Sequence, residues 1–303
     1  MSRIDEALKR VSDDRRDRHQ PEAGPVGSIR TVDVLLEEYP EETPARAERA
    51  EAVTRPRSAV AAPRAMQVTR PLRFDASVTG KLIGAGETPT VCVEQYRRLA
   101  ASVHEVQVES GLKTLMVTST LPREGKTLTI SNLALTLSES YTRRVLLIDA
   151  DMRRPSIHEV FNLPNATGLS ELLRSDRREL PLFEVTRLLS VLPAGHPDSN
   201  PTAGLTSERM STLLEESAKS FDWILVDAPP VTLLPDAHLL ARLTRAVIFV
   251  IGAGSTPYPL VERAIADVGR ESIVGTVLNR ISDQNIPATE YYSEYHAAAT
   301  SDR

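Results

Sequence analysis

The chain has 303 residues, enough for one well-packed domain with further material around it. Hydrophobic residues make up 41% and charged residues 25%, the composition of a soluble globular protein; with aromatics at only 4%, the core falls to Leu, Val, Ile and Ala. A net charge of −5 argues against nucleic acid as a bulk-charge partner, and a lone Cys92 excludes an intramolecular disulfide and fits a reducing cytosol.

No run approaches the ~18–20 apolar residues of a membrane helix, and the opening Met-Ser-Arg-Ile-Asp-Glu lacks the apolar core of a signal peptide. Residues 1–13 carry a short amphipathic helix. Ile4, Leu8 and Val11 recur at helical spacing, Ser2 is placed to cap the start, and Glu6 precedes Lys9. Its apolar area is too small for independent folding. It reads either as a solvated end or as a docking helix for a partner.

Residues 14–87 read as a disordered linker. Prolines at 21, 25, 40, 44, 56, 63 and 71 alternate with Arg, Glu and Ala, a composition that cannot bury enough apolar surface to offset its ordering entropy.

From 88 the pattern becomes that of a domain. A helix is predicted over about 90–108. Apolar strands follow at Thr114–Ser119, Val145–Asp149, Trp223–Asp227, Ala246–Ile251 and Ile273–Leu278, separated by helices near 126–140, 206–220, 236–243 and 258–269. Continuous apolar strands alternating with helices predict an α/β domain over 88–285, a parallel sheet with helices on both faces. Residues 286–303 form a flexible tail that bears tyrosines.

The segment Leu115-Met-Val-Thr-Ser-Thr-Leu-Pro-Arg-Glu-Gly-Lys-Thr127 is a strand, a loop and a helix start. That arrangement directs backbone N–H groups and the positive end of a helix dipole at an anion. Lys126 is placed to reach the β- and γ-phosphates of ATP, and the Thr127 hydroxyl to coordinate Mg²⁺. The first glycine of the GxxxxGK[ST] pattern is replaced by Thr120. Two further strands end in carboxylates, Asp149 and Asp151 in one and Asp227 in the other. At the C-terminal ends of parallel strands such groups face a nucleotide, where they hold Mg²⁺ or accept a proton.

Together these segments resemble the bacterial tyrosine kinases of capsule and exopolysaccharide synthesis (BY-kinases), a family in the MinD/ParA branch of P-loop ATPases. Ser119-Thr-Leu-Pro-Arg-Glu-Gly-Lys-Thr127 resembles the family's Walker A, Leu147-Ile-Asp-Ala-Asp-Met-Arg-Arg-Pro155 its Walker A′, and Val226-Asp-Ala-Pro-Pro230 with Asp236-Ala237 its Walker B region. Gly275-Thr-Val-Leu-Asn-Arg280 resembles the last core strand, and Tyr291-Tyr-Ser-Glu-Tyr295 a shortened tyrosine cluster. The resemblance implies an ATP-dependent protein-tyrosine autokinase with Lys126, Asp149 and Asp151 as catalytic groups and Asp151 as base. It implies nucleotide contacts from Thr120, Pro122, Glu124, Gly125, Lys126, Thr127, Leu128, Asn279 and Arg280. Metal support would come from Thr127, Asp149 and Asp227, and autophosphorylation would fall on Tyr291, Tyr292 and Tyr295. It also implies a homo-oligomer phosphorylating in trans, a separate transmembrane polysaccharide co-polymerase as activator, and a cytoplasmic location at the inner face of the plasma membrane through that partner.

Two positions depart from the family pattern. Arg123 stands where a glycine is usual. Glu94 and Arg97 match the start of the Glu-x-x-Arg-x-x-Arg assembly motif, but Ala100 replaces its last arginine. If position 100 extends the Glu94–Arg97 face, Ala100→Arg should strengthen assembly. Two other classes compete: a MinD/ParA-like positioning ATPase, disfavoured by Leu121 where that class carries a second lysine, and a nucleotide-binding regulator without phosphotransfer.

Overall fold

A computed structural model describes residues 74–281, apart from 76, 86–87 and 175–179. The predicted N-terminal helix, most of the linker and the tail tyrosines Tyr291, Tyr292 and Tyr295 lie outside the described residues.

The domain opens with a long helix, α1 (Thr90–Ser110). Strand β1 (Thr114–Ser119) leads through a loop into α2 (Lys126–Glu139), then β2 (Val145–Asp149) and two short helices, α3 (Ile157–Val160) and α4 (Leu169–Arg174). A hairpin follows, β3 (Phe183–Thr186) and β4 (Leu189–Leu192), then α5 (Thr202–Leu205) and α6 (Glu208–Ser220). The chain closes with β5 (Trp223–Asp227), α7 (Asp236–Thr244), β6 (Val247–Gly252), α8 (Tyr258–Val268) and β7 (Ile273–Asn279).

The seven strands form one sheet in the order β3-β4-β2-β5-β1-β6-β7. All neighbours are parallel except β3 and β4. The apolar runs are continuous because β2, β5 and β6 are buried along their whole length. Alternate residues then serve opposite cores. Met116, Ile148, Val226 and Phe249 pack on one side with α6, α7 and α8. Leu115, Val117, Leu147, Leu225 and Ile248 pack on the other with α1 and α2.

The five predicted strands and the helices between them are present. The antiparallel edge pair β3–β4 is not predicted. Each strand is only four residues long, too short for a hydrophobic period to register.

Part of the expected linker is packed on the domain. Leu82 is fully buried in the α1–α2 core. The Asn132 side chain on α2 accepts the Ile83 N–H at 2.8 Å and donates to the Lys81 carbonyl at 2.8 Å. The Phe74 ring lies 6.0 Å from that of Phe161, just past α3. The packed surface therefore begins before the expected boundary at 88. Buried Leu82 carries this strap with Phe74, Val78 and Ala85 packed on the same core, and their uneven spacing makes no sequence period. Leu82→Ala is expected to lower the unfolding free energy by about 2–5 kcal/mol, the range for a buried leucine cut to alanine, as read from urea denaturation.

The Glu94–Arg97 pair forms at 2.5 Å with both side chains reaching solvent. Ala100 does not extend that face. It is fully buried and, with Val103, forms the side of α1 that enters the core. The expected gain in assembly from Ala100→Arg is thereby overturned, since the substitution forces bulk and a charge into a filled interior. Ala100→Arg should instead lower stability by about 1–3 kcal/mol with no increase in mass by light scattering.

Candidate active site

The parallel strands deliver their C-terminal ends to one edge of the sheet. β1 ends at Ser119, β2 at Asp149, β5 at Asp227, β6 at Gly252 and β7 at Asn279. The register sets Asp149 directly beside Asp227, and Gly252 beside Asn279.

The loop from Thr120 to Gly125 is held from three directions. The Glu124 carboxylate turns inward, only 4% exposed. It accepts the Leu121 N–H at 2.6 Å, the Gly252 N–H at 2.9 Å and the Thr256 hydroxyl. The Thr232 hydroxyl donates to the Thr120 carbonyl at 2.6 Å. From β7, the Asn279 amide donates to the Glu124 carbonyl at 2.8 Å, and the Arg280 guanidinium donates to the Arg123 carbonyl. Glu124, Asn279 and Arg280, predicted as nucleotide contacts, thus shape the loop in this structure. Gly125 has φ 96°, and a Cβ there would fall 2.1 Å from the Asn279 amide nitrogen. Glycine is required on both counts. Arg123 has φ 66°. The loop keeps the left-handed turn that a glycine would take freely, at roughly 1–2 kcal/mol for a side-chain-bearing residue. Pro122 is exposed beside it, and Leu128 is half-buried against the α1–α2 core.

The charged residues converge behind this loop. Lys126 Nζ lies 3.0 Å from Asp151 Oδ2 and 3.8 Å from Asp227 Oδ1. The Thr127 hydroxyl donates to Asp227 Oδ2 at 2.8 Å and lies 3.1 Å from the Ser156 hydroxyl. Asp149 accepts three backbone N–H groups: Asp151 at 3.2 Å, Ser156 at 2.9 Å and Ile157 at 3.0 Å. It folds the acidic loop back on itself and caps α3. Asp151 in turn accepts the Arg154 N–H at 3.1 Å. Arg153 pairs with the buried Asp236 at 2.6 Å and reaches the Ser199 carbonyl, which ties the acidic loop to α7. Sequence reasoning did not single out Ser156, Thr232 or Thr256. Only Ser156 carries a signal, as a serine just before a short helical run.

Three buried carboxylates face one ammonium. Burial first, and the Asp227 charge second, push Asp149 up to about 8. Burial, with Asp151 adding to it, pushes Asp227 up to about 6 against the pull of Lys126. Burial works to lower the Lys126 pKa, but the charges of Asp227 and Asp151 outweigh it, and the net shift is upward. The ammonium stays charged. Asp227 Oδ1 is buried and has no hydrogen-bond partner among the described residues. No three His, Cys, Asp or Glu side chains converge as a metal cage among the described residues. A Mg²⁺ shared with phosphates needs only one or two protein carboxylates, however, and the deficit of positive charge here fits such an ion.

A strand, a glycine-turned loop, a helix-start Lys-Thr pair and a strand-end aspartate on the threonine define a P-loop NTPase domain. No family profile matches the chain. It is 31% identical over 206 residues to CapB of Staphylococcus aureus, across 66% of this chain and 90% of CapB. It is 30% identical over 202 residues to the tyrosine-protein kinase YwqD of Bacillus subtilis, across 65% and 85%. The solved kinase domain of the Escherichia coli tyrosine kinase ETK superposes with a TM-score of 0.59 at 30% identity, across 65% of this chain and 78% of that one. The chain belongs to the bacterial tyrosine-kinase family of capsule and exopolysaccharide synthesis.

The raised aspartate values set a pH dependence. Protonation of Asp149 and Asp227 is favoured in the fold over the unfolded chain, where the ordinary value is 3.8. Their contribution to stability is complete below about 4 and is lost as pH rises toward 8. A Mg²⁺ ion arriving with ATP would supply countercharge to the ionised carboxylates. The rise in melting temperature on adding Mg·ATP should therefore be larger at pH 8 than at pH 6, measured by scanning fluorimetry in both buffers.

Proposed function

We propose that this chain is an ATP-dependent protein-tyrosine autokinase that regulates polysaccharide synthesis and export. The observation that carries the reading is the junction of the phosphate-loop pair with the acidic strand ends, Lys126 to Asp151 at 3.0 Å and Thr127 to Asp227 at 2.8 Å.

Lys126 is the cation that meets the β- and γ-phosphates. Its Nζ lies 3.0 Å from Asp151, and turning to the phosphates would release that carboxylate. Thr127 and Asp227 would hold Mg²⁺ together with the phosphates, and Asp149 would support it from the loop it organises. When bound, Mg²⁺ neutralises charge on the phosphate oxygens. Asp151 then accepts the proton of the tyrosine hydroxyl while the phenolate oxygen bonds the γ-phosphorus and ADP departs. Phosphoryl transfer draws chiefly on positioning and charge neutralisation, and this pocket is built for both.

Tyr291, Tyr292 and Tyr295 are the proposed acceptors, presented to a neighbouring copy, with Glu94 and Arg97 at the subunit contact. Exposed pairs of this kind contribute under ~1 kcal/mol, so the oligomer is weak unless other contacts join it. Among the described residues no helix is long and apolar enough to cross a membrane. The proposed location is the inner face of the plasma membrane, reached through a separate transmembrane co-polymerase that acts as activator. A regulator without phosphotransfer loses one of its supports, because Arg123 keeps the left-handed turn of the glycine it replaces.

Purified protein incubated with Mg·ATP should become reactive to anti-phosphotyrosine antibody. Lys126→Ala should abolish both ATP binding and the signal. Asp151→Asn should retain ATP binding while the initial rate drops by roughly 10²–10⁴, as for loss of a general base. Joint replacement of Tyr291, Tyr292 and Tyr295 by Phe should remove the acceptor signal. A wild-type rate in Asp151→Asn would assign the base elsewhere.

A further inference from the structure

Within the phosphate loop, Glu124 is spent on the framework, and Lys126 and Thr127 are joined to carboxylates. Arg123 is different. Its side chain is exposed, and its guanidinium has no partner among the described residues. Its backbone, by contrast, is closely held, with its own carbonyl bonded by Arg280 and the next carbonyl by Asn279.

That backbone is in the left-handed region, which glycine adopts without strain and arginine does not. A strained position that keeps a long charged side chain at a binding loop points to a use for the side chain. Neighbouring cations are otherwise engaged. Arg153 pairs with Asp236, and Arg280 holds the loop carbonyl. Arg154 is also exposed and has no side-chain partner among the described residues, but it follows Asp151 on the carboxylate side rather than standing on the loop.

A nucleotide with its Mg²⁺ still carries net negative charge into the loop. Within the loop and the start of its helix, Lys126 is the cation already paired with carboxylates, Asp151 at 3.0 Å and Asp227 at 3.8 Å. We infer that Arg123 is a second phosphate-binding cation of this chain, its guanidinium closing over the phosphate groups of the nucleotide held by the same loop. This rests on the nucleotide-binding reading above and adds to it a residue that the family pattern, with glycine there, does not supply. Charge-assisted bonds of this type are among the stronger polar contacts.

The test separates charge from shape. Arg123→Lys and Arg123→Gln carry the same left-handed backbone and similar bulk, and only the lysine keeps the charge. Affinities for ATP, ADP and AMP are measured on the full chain with Mg²⁺ at low and high salt, with Lys126→Ala alongside. The expected result is a roughly tenfold loss of ATP and ADP affinity in Arg123→Gln, near-wild-type affinity in Arg123→Lys, little change for AMP, and a shallower salt dependence in the glutamine variant. Equal affinities in wild type and Arg123→Gln, or an equal loss in both variants, would overturn the inference. If Lys126→Ala also binds ATP like wild type, the nucleotide site itself has been misassigned, which is a separate failure.

Discussion

Asp149 and Asp227 end adjacent parallel strands in register, both fully buried, and the rest of the site is arranged around that pairing. Neighbouring strands lie about 4.8 Å apart, so two carboxylates are held together where water cannot screen them. Burial raises the cost of ionising both, and a neighbouring charge adds to it, Asp227 at Asp149 and Asp151 at Asp227. Asp149 is offset by three backbone N–H groups, and Asp227 by the Thr127 hydroxyl and the approach of Lys126. Even so, the pocket is left with more negative charge than the protein neutralises. Such a site is destabilising on its own and gains most from a ligand that brings cations into it. The deep two-sided core of the sheet offsets that cost.

The same edge of the sheet also fixes the loop proposed to meet the phosphates. Glu124 reaches across to the end of β6, and Asn279 and Arg280 reach back from the end of β7. The parallel pairing of β6 with β7, Gly252 beside Asn279, sets the spacing of these anchors. A carboxylate in the loop therefore acts as framework, whereas the proposed chemistry falls to carboxylates at and just past the ends of β2 and β5. The distinction lies in direction: Glu124 is turned toward backbone donors of its own sheet, and Asp151 toward the ammonium at the helix start.

Much of this was legible in the sequence. Strand positions were readable because each central strand is buried on both faces and so is apolar without interruption. Lys126, Thr127, Asp149, Asp151 and Asp227 were readable because strand ends and a helix start bracket them, and the structure brings all five together. What was not legible depends on contacts distant in the chain. Nothing local to Glu124 says that Gly252 and Thr256 will meet it. Nothing local to Ala100 says that its side of α1 enters the core, since an alanine among charged and apolar neighbours suits either face. The β3–β4 hairpin is too short to show a period, and the strap at Leu82 is anchored by a single asparagine 51 positions after Lys81.

That strap bears on how the chemistry is supported. Asn132 lies six residues into α2 from Lys126, about 9 Å along the helix at 1.5 Å per residue. The same short segment touches α3 through Phe74 and the Asp75 N–H to the Val160 carbonyl. One helix begins with Lys126, the lysine proposed to bind phosphate, and the other is capped by Asp149 at the end of the acidic loop. The described residues between Phe74 and Ala85 therefore span the two helices that carry the two halves of the proposed site. Because Leu82 is buried between α1 and α2, releasing the segment would open a cavity against the helix that positions Lys126. The Lys126–Asp151 distance depends on the relative placement of α2 and the acidic loop, so the strap belongs to the framework of the site even though it touches none of its charged groups.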